Sequence, residues 1–172
     1  MAALARADAP VRALVRRTSQ TEMMTALGAR EVMAADMRLT LALRRAVENV
    51  RAVYHICPNV SPDEVKIGQA LLDAAREAGV EHFVYHSVLH PQAEAMPHHW
   101  NKLRVEEALF ASGLKFTILQ PTAYMQNLLA GWASIAQEGV LRNPYPVETR
   151  LGLVDLEDVA EVQDGPELPA HY

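Results

Sequence analysis

A chain of 172 residues is long enough for one domain that hides roughly 70% of its unfolded surface, and two independent domains are not expected. Half of its residues are apolar and 22% are charged, with 8 glycines and 10 prolines, a balance that excludes disordered, collagenous and low-complexity chains. Sixteen basic residues against 21 acidic ones leave a net charge of -5, which provides no general field for a phosphate backbone and excludes nucleic acid as a first expectation.

The first residues, Met1 to Asp8, lack a long apolar segment and a cleavage pattern, so they read as the end of a helix rather than as a signal peptide. Val11–Val15 is a short apolar run closed by Arg16-Arg17-Thr18-Ser19, which suits a buried strand followed by a hydroxyl-capped helix start. That helix is expected from about Gln20 to Leu27, with Gly28 as its left-handed stop. Glu31–Asp36 reads as a second strand ending in a carboxylate. Leu39, Leu43, Ala46, Val47 and Val50 then recur on one stripe of an amphipathic helix.

Ala52–Cys57 is the third strand, ended by Pro58, which has no ladder donor to give. Ser61-Pro62-Asp63-Glu64 supplies an N-cap, a proline at the first helical position and a glutamate placed for a capping box. The helix it opens buries Ile67, Leu71, Ala74, Ala75 and Ala78 and stops at Gly79. His82–Ser87 is the fourth strand; a helix follows from about His98 to Ala111, and Gly113 stops it. Lys115–Gln120 is the fifth strand, closed by Pro121, and a last helix is expected near Tyr124 to Gln137. From Gln163 to Tyr172 two prolines, a glycine and no periodicity predict an unstructured tail, leaving residues 1–162 as a single domain.

Short apolar strands alternating with helices imply right-handed crossovers, so the expected class is α/β with a parallel sheet covered by helices on both faces. The lone cysteine cannot form an internal disulfide, and no run of some 18 apolar residues is present to cross a bilayer. The expected compartment is cytoplasmic, with no membrane partner. His82, His86 and His90 recur every fourth residue, with His98 and His99 nearby. On a strand four residues span roughly 13 Å, so His82 and His86 cannot share an ion and no metal site is expected.

The stretches Val11–Arg17, Gly28–Asp36, Ala78–Ser87, Asn101-Lys102, Ser112–Pro121 and Val154–Ala160 together resemble the NmrA-like, atypical branch of the short-chain dehydrogenase/reductase superfamily. Members of that branch bind NAD(P) on a Rossmann sheet. The resemblance implies an NAD(P)-dependent oxidoreductase of a small carbonyl or quinone substrate, or a shortened derivative of one. The alternatives are a non-enzymatic redox sensor acting through a regulatory protein partner, and an inactive fragment.

The chain departs from the family where a glycine-rich turn should follow the first strand. Its glycines stand at 28, 68, 79, 113, 131, 139, 152 and 165, and no G-x-G-x-x-G can be drawn through them. Such glycines let pyrophosphate approach backbone N–H groups at a helix N-terminus without Cβ atoms in the way. Met1–Pro10 corresponds best to the end of the family's first helix, and the family normally continues past Val162. The chain is therefore expected to be shortened at both ends, lacking the first strand and its turn, with negligible dinucleotide affinity in this form. In a 3-2-1-4-5-6 strand order the absent strand is central. Either the strands at Val11–Val15 and Ala52–Cys57 pair directly, or both keep bare edges open to self-association.

By the same resemblance Arg16 and Arg17 read the 2′-phosphate of the cofactor, favouring NADP over NAD, unless they are simply solvated. Asp36 is similar to the family's adenine-contacting acid; an N-cap or turn residue is the alternative. Cys57 and Pro58 lie where the family's chain passes the cofactor, although Cys57 also suits a small buried hydrophobe. Lys102 matches the lysine that binds the nicotinamide ribose, its alternative being a surface pair with Glu106. Where the superfamily has tyrosine four residues earlier, this chain has His98, a candidate proton donor whose proton affinity Lys102 would lower. Ser87 matches the substrate-orienting serine, Gln120 replaces a common arginine, and Pro121 and Thr122 would line the nicotinamide side.

Overall fold

The alternation of short strands and helices is present along the chain in the computed structural model, which describes residues 2–142, 146 and 148–164. The chain divides into two compact units, Met1–Gln120 and Pro121–Tyr172. The first contains α1 (Ala2–Arg6), β1 (Arg12–Val15), α2 (Thr21–Ala26), β2 (Glu31–Ala34), α3 (Thr40–Val47), β3 (Ala52–His55), α4 (Glu64–Glu77), β4 (His82–His86), α5 (Pro97–Phe110) and β5 (Phe116–Leu119). All strand pairs in it are parallel among the described residues, as the crossovers require. The class is α/β and Rossmann-like.

The strands form two pieces: β1 with β2, in the register Arg12 to Glu31 and Val15 to Ala34, and β3-β4-β5 in that order. Among the described residues β1 pairs with β2 alone and β3 with β4 alone. Direct pairing of β1 with β3 is not made, and each has one edge without a ladder partner.

Burial follows the apolar stripes. Leu43 and Val47 of α3, Leu71 and Ala75 of α4, Phe83 and Tyr85 of β4, and Val105 and Leu109 of α5 form one cluster. Gly68 lets α4 lie close on α5, since a Cβ there would meet the Val105 γ-carbons at 2.7 and 2.8 Å. Gly28, at φ +96°, turns the chain against α1, where a Cβ would stand 2.4 Å from that of Ala5. Arg12 ties β1 to the end of α3: its Nη1 donates to the carbonyls of Ala46 at 3.1 Å and Glu48 at 2.7 Å, and its Nε to Glu31 at 2.7 Å. A guanidinium on these last carbonyls satisfies acceptors that the helix itself cannot.

The helix start at Ser61–Glu64 differs from expectation. Helix α4 begins at Glu64 with Asp63 as a cap residue that makes no side-chain cap bond, while Ser61 Oγ accepts from the Asp63 N–H at 3.2 Å. Glu64 turns inward, where two strong donors hold it, instead of back toward its own backbone.

The second unit contains β6 (Ala123–Tyr124), a 3-10 stretch at Met125–Gly131, α6 (Trp132–Glu138), β7 (Leu153–Val154) and α7 (Leu156–Asp164). The expected helix over Tyr124–Gln137 is thus broken. Tyr124 pairs with Val154 in the β6–β7 ladder, and Gly131, a poor helix former, separates the 3-10 stretch from α6. Gln163 and Asp164, expected in the tail, close α7; the rest of that tail, residues 165–172, lies outside the described residues. No helix among the described residues is long and apolar enough to cross a membrane.

Candidate functional site

Parallel strands leave their carboxyl ends, and the loops that follow, on one edge of each sheet piece. Arg16 and Arg17 follow β1 and Asp36 follows β2, with the charge of Arg16 acting on the Asp36 carboxyl. Arg16 and Arg17 are exposed, and the Arg17 N–H donates to Gln20 Oε1 at 3.0 Å, starting the turn into α2. Asp36 accepts from the Arg38 backbone N–H at 2.9 Å and from its guanidinium at 2.5 Å. Those bonds to Arg38, with the charge of Arg16 as a smaller cause, hold the Asp36 carboxyl down at about 2. The bond to the Arg38 N–H closes a turn at Asp36. Arg38, which no motif marks in the sequence, makes a third guanidinium at this edge.

At the ends of β3 and β4 lies a buried polar group. Lys102 on α5 sends its ammonium to Glu64 Oε1 at 3.0 Å and to the His86 carbonyl at 3.0 Å, and stands 5.2 Å above the Tyr85 ring. The expected surface partner Glu106 is not its partner, because α5 turns Val105, Glu106 and Leu109 into the core. Tyr85 donates to the same Glu64 oxygen at 2.8 Å, and burial with the Glu64 carboxylate beside it pushes its phenol up, so it remains a neutral donor. Glu106 is held instead by Ser87 and by Gln120 Nε2 at 2.9 Å. The Ser87 hydroxyl, buried, thus points at Glu106.

Cys57 is buried and its thiol is pushed up to about 12, by burial first and then by Glu64; it is neutral at ordinary pH. Pro58 follows it, its carbonyl accepting from the Ser61 N–H at 3.2 Å. His86 has Tyr54 as a ring partner, and burial, then Lys102, lowers its proton affinity to about 4. His98, on the first turn of α5, is lowered by burial, His99 and Lys102, the direction expected from Lys102. His82 Nε2 meets Thr117 Oγ1 at 2.9 Å, so the four-residue histidine series is not gathered. Pro121 and Thr122 belong to the second unit.

A nicotinamide dinucleotide makes three demands on such an edge: at its adenosine end, its pyrophosphate and its nicotinamide ribose. The guanidinium groups of Arg16 and Arg17 suit its adenosine end. No glycine-rich turn stands among the described residues to take its pyrophosphate, and Lys102, the ribose candidate, is already held by Glu64 and His86.

The fold and these strand-end groups define a Rossmann-like protein, and the comparisons narrow it. The profile of the NmrA-like family matches residues 1–163: the chain belongs to the NmrA-like family. It is 33% identical over 164 residues to the NAD(P)H azoreductase of Xenophilus azovorans, covering 92% of this chain and 55% of that one. To quinone oxidoreductase 2 of Escherichia coli it is 27% identical over 128 residues, 74% of this chain and 44% of the other. The crystal structure of an NADPH-dependent quinone oxidoreductase from Escherichia coli, complexed with NADPH, superposes with a TM-score of 0.64 at 26% identity. That match covers 74% of this chain and 45% of that one. The chain thus spans about half the length of the curated relatives it matches.

Proposed function

We propose that this chain serves an NAD(P)-dependent reductase of small electron acceptors, quinones or azo compounds, with NADP as the preferred cofactor. The family match and the named activities of the azoreductase and quinone oxidoreductase relatives support the reaction class. The observation that carries the cofactor preference is the exposed Arg16-Arg17 pair at the carboxyl end of β1, beside Asp36. When bound, the nicotinamide supplies the hydride, and the protein supplies binding and orientation. Arg16 and Arg17 hold the 2′-phosphate, and Arg38 neutralises Asp36 so that no free carboxylate repels it. Lys102 and Ser87 belong to the polar group at the ends of β3 and β4, where the ribose and substrate side would fall.

The adenosine end can be tested without the pyrophosphate. Adenosine 2′,5′-bisphosphate should bind about tenfold more tightly than 5′-AMP, one charge-assisted hydrogen bond's worth, as read by calorimetry at low salt. The double change Arg16→Ala, Arg17→Ala should abolish the difference. Equal affinities in the unaltered chain would remove these arginines from the site.

A further inference from the structure

We propose that His55, Cys57 and Glu64 form a buried three-ligand site for a divalent zinc ion. A ring nitrogen of His55, the Cys57 sulfur and a Glu64 carboxylate oxygen all lie within 4.8 Å of one another. The chain builds this convergence simply. His55 closes β3 and Cys57 follows two residues on; both are buried while Ile56 between them is exposed. Glu64, the first residue of α4, returns to the same place across the intervening loop.

Two further observations point to a ligand. The Nε2 of His55 is the buried side-chain polar atom that lacks a hydrogen-bond partner among the described residues, in a ring only 2% exposed, and such an orphan is costly unless something coordinates it. Glu64 is oriented from behind by the Tyr85 hydroxyl and the Lys102 ammonium, the arrangement that outer-shell donors give to metal ligands. The imidazole is also fixed, stacked on the Tyr85 ring with centroids 5.7 Å apart.

A nitrogen, sulfur and oxygen set selects a borderline ion such as zinc over magnesium or calcium, which take oxygen. Zinc bonds of about 2.0–2.3 Å place tetrahedral donors roughly 3.3–3.8 Å apart, so groups already within 4.8 Å of one another need close only slightly on binding. Coordination releases the thiol proton to solvent. Zinc with one thiolate and one carboxylate is then neutral as a unit, and Lys102 faces no net positive charge. The fourth position is left for water. The site ties the end of β3 to the start of α4 and does not depend on the nicotinamide reading.

The test is titration of the full chain with cobalt(II), followed by absorption. Cys57 is the sole cysteine of the sequence, so a thiolate-to-cobalt charge-transfer band can come from nowhere else. The band should saturate at one ion per chain, disappear on adding zinc, and be lost in Cys57→Ser. His55→Gln and Glu64→Gln should each weaken binding at least about tenfold, in line with loss of a ligand. Should a variant fail to fold, the unaltered chain still decides, because zinc must raise its melting temperature and a chelator must reverse the rise. Absence of the thiolate band in excess cobalt, or a band that neither the His55 nor the Glu64 change affects, would overturn the site.

Discussion

The Lys102 ammonium lies between the Glu64 carboxylate and the His86 carbonyl, and removing it would leave the buried carboxylate without its cation. Breaking a buried pair from one side costs more than the pair contributes. Lys102→Met should lower stability by about 3 kcal/mol in urea unfolding at neutral pH, and adding Glu64→Gln should restore part of it. A loss below about 1 kcal/mol would mean that the pair behaves like a surface one. His86 carries a pH dependence. Its folded proton affinity, about 4, lies below the ordinary 6.5 because of burial and Lys102, with the Tyr54 hydroxyl as its ring partner. As pH falls from about 6.5 the unfolded chain takes up the proton first, so stability held above that pH is lost toward about 4. His55, lowered to about 3 by burial and then Lys102, acts in the same sense, whereas Asp36 acts below its ordinary 3.8. Urea midpoints measured between about pH 7 and about pH 4.5 should therefore fall less steeply in His86→Asn than in the unaltered chain. Parallel slopes would show that His86 does not contribute.

At the level of elements, the contact between α4 and α5 depends on Gly68. Alanine is a better helix former by about 1 kcal/mol, but its Cβ would press on the buried Val105 γ-carbons at 2.7 and 2.8 Å. Gly68→Ala should cost about 1–3 kcal/mol, and paired with Val105→Ala it should cost less than the two changes summed. Denaturant midpoints decide this, and a stabilised Gly68→Ala would show that the helices yield. The same elements mark what the sequence could disclose. The strand and helix order through β5 was legible because each apolar run is short and bounded by proline, glycine or a capping residue. The inward turn of Glu64 was not: Ser61-Pro62-Asp63-Glu64 is locally consistent with a capping box, and the donors that win, Tyr85 and Lys102, are 21 and 38 residues away. The burial of Glu106 was hidden for a similar reason. Its place four residues after Lys102 suggests a surface pair, yet it lies on the side of α5 that carries Val105 and Leu109 inward. The two-residue spacing of His55 and Cys57 at the end of β3 could have signalled a shared face; that Glu64 turns toward them depends on Tyr85 and Lys102, which hold it inward.

Across the whole chain, the buried apolar cluster is confined to the first unit. None of residues 121–142, 146 and 148–161 is buried, and among them the larger apolar side chains Trp132 and Leu129 stand in the open at 63% and 65% exposure. Hydrophobic burial is the main favourable contribution to folding, so local stability must be unequal along the chain. Backbone amides of α4, β4 and α5, which surround Phe83, Tyr85, Val105 and Leu109, should exchange only through the largest openings. Those of α6 and the 3-10 stretch at Met125–Gly131 should open at a cost of no more than about 1–2 kcal/mol, the low end of native-state exchange. The comparison needs a single hydrogen-exchange series resolved by peptide. Fast exchange after Gln120 with slow exchange in α4 and α5 is the expected pattern. Equal protection on both sides of Gln120 would require the second unit to gain apolar burial in solution, and thus to cover Trp132 and Leu129.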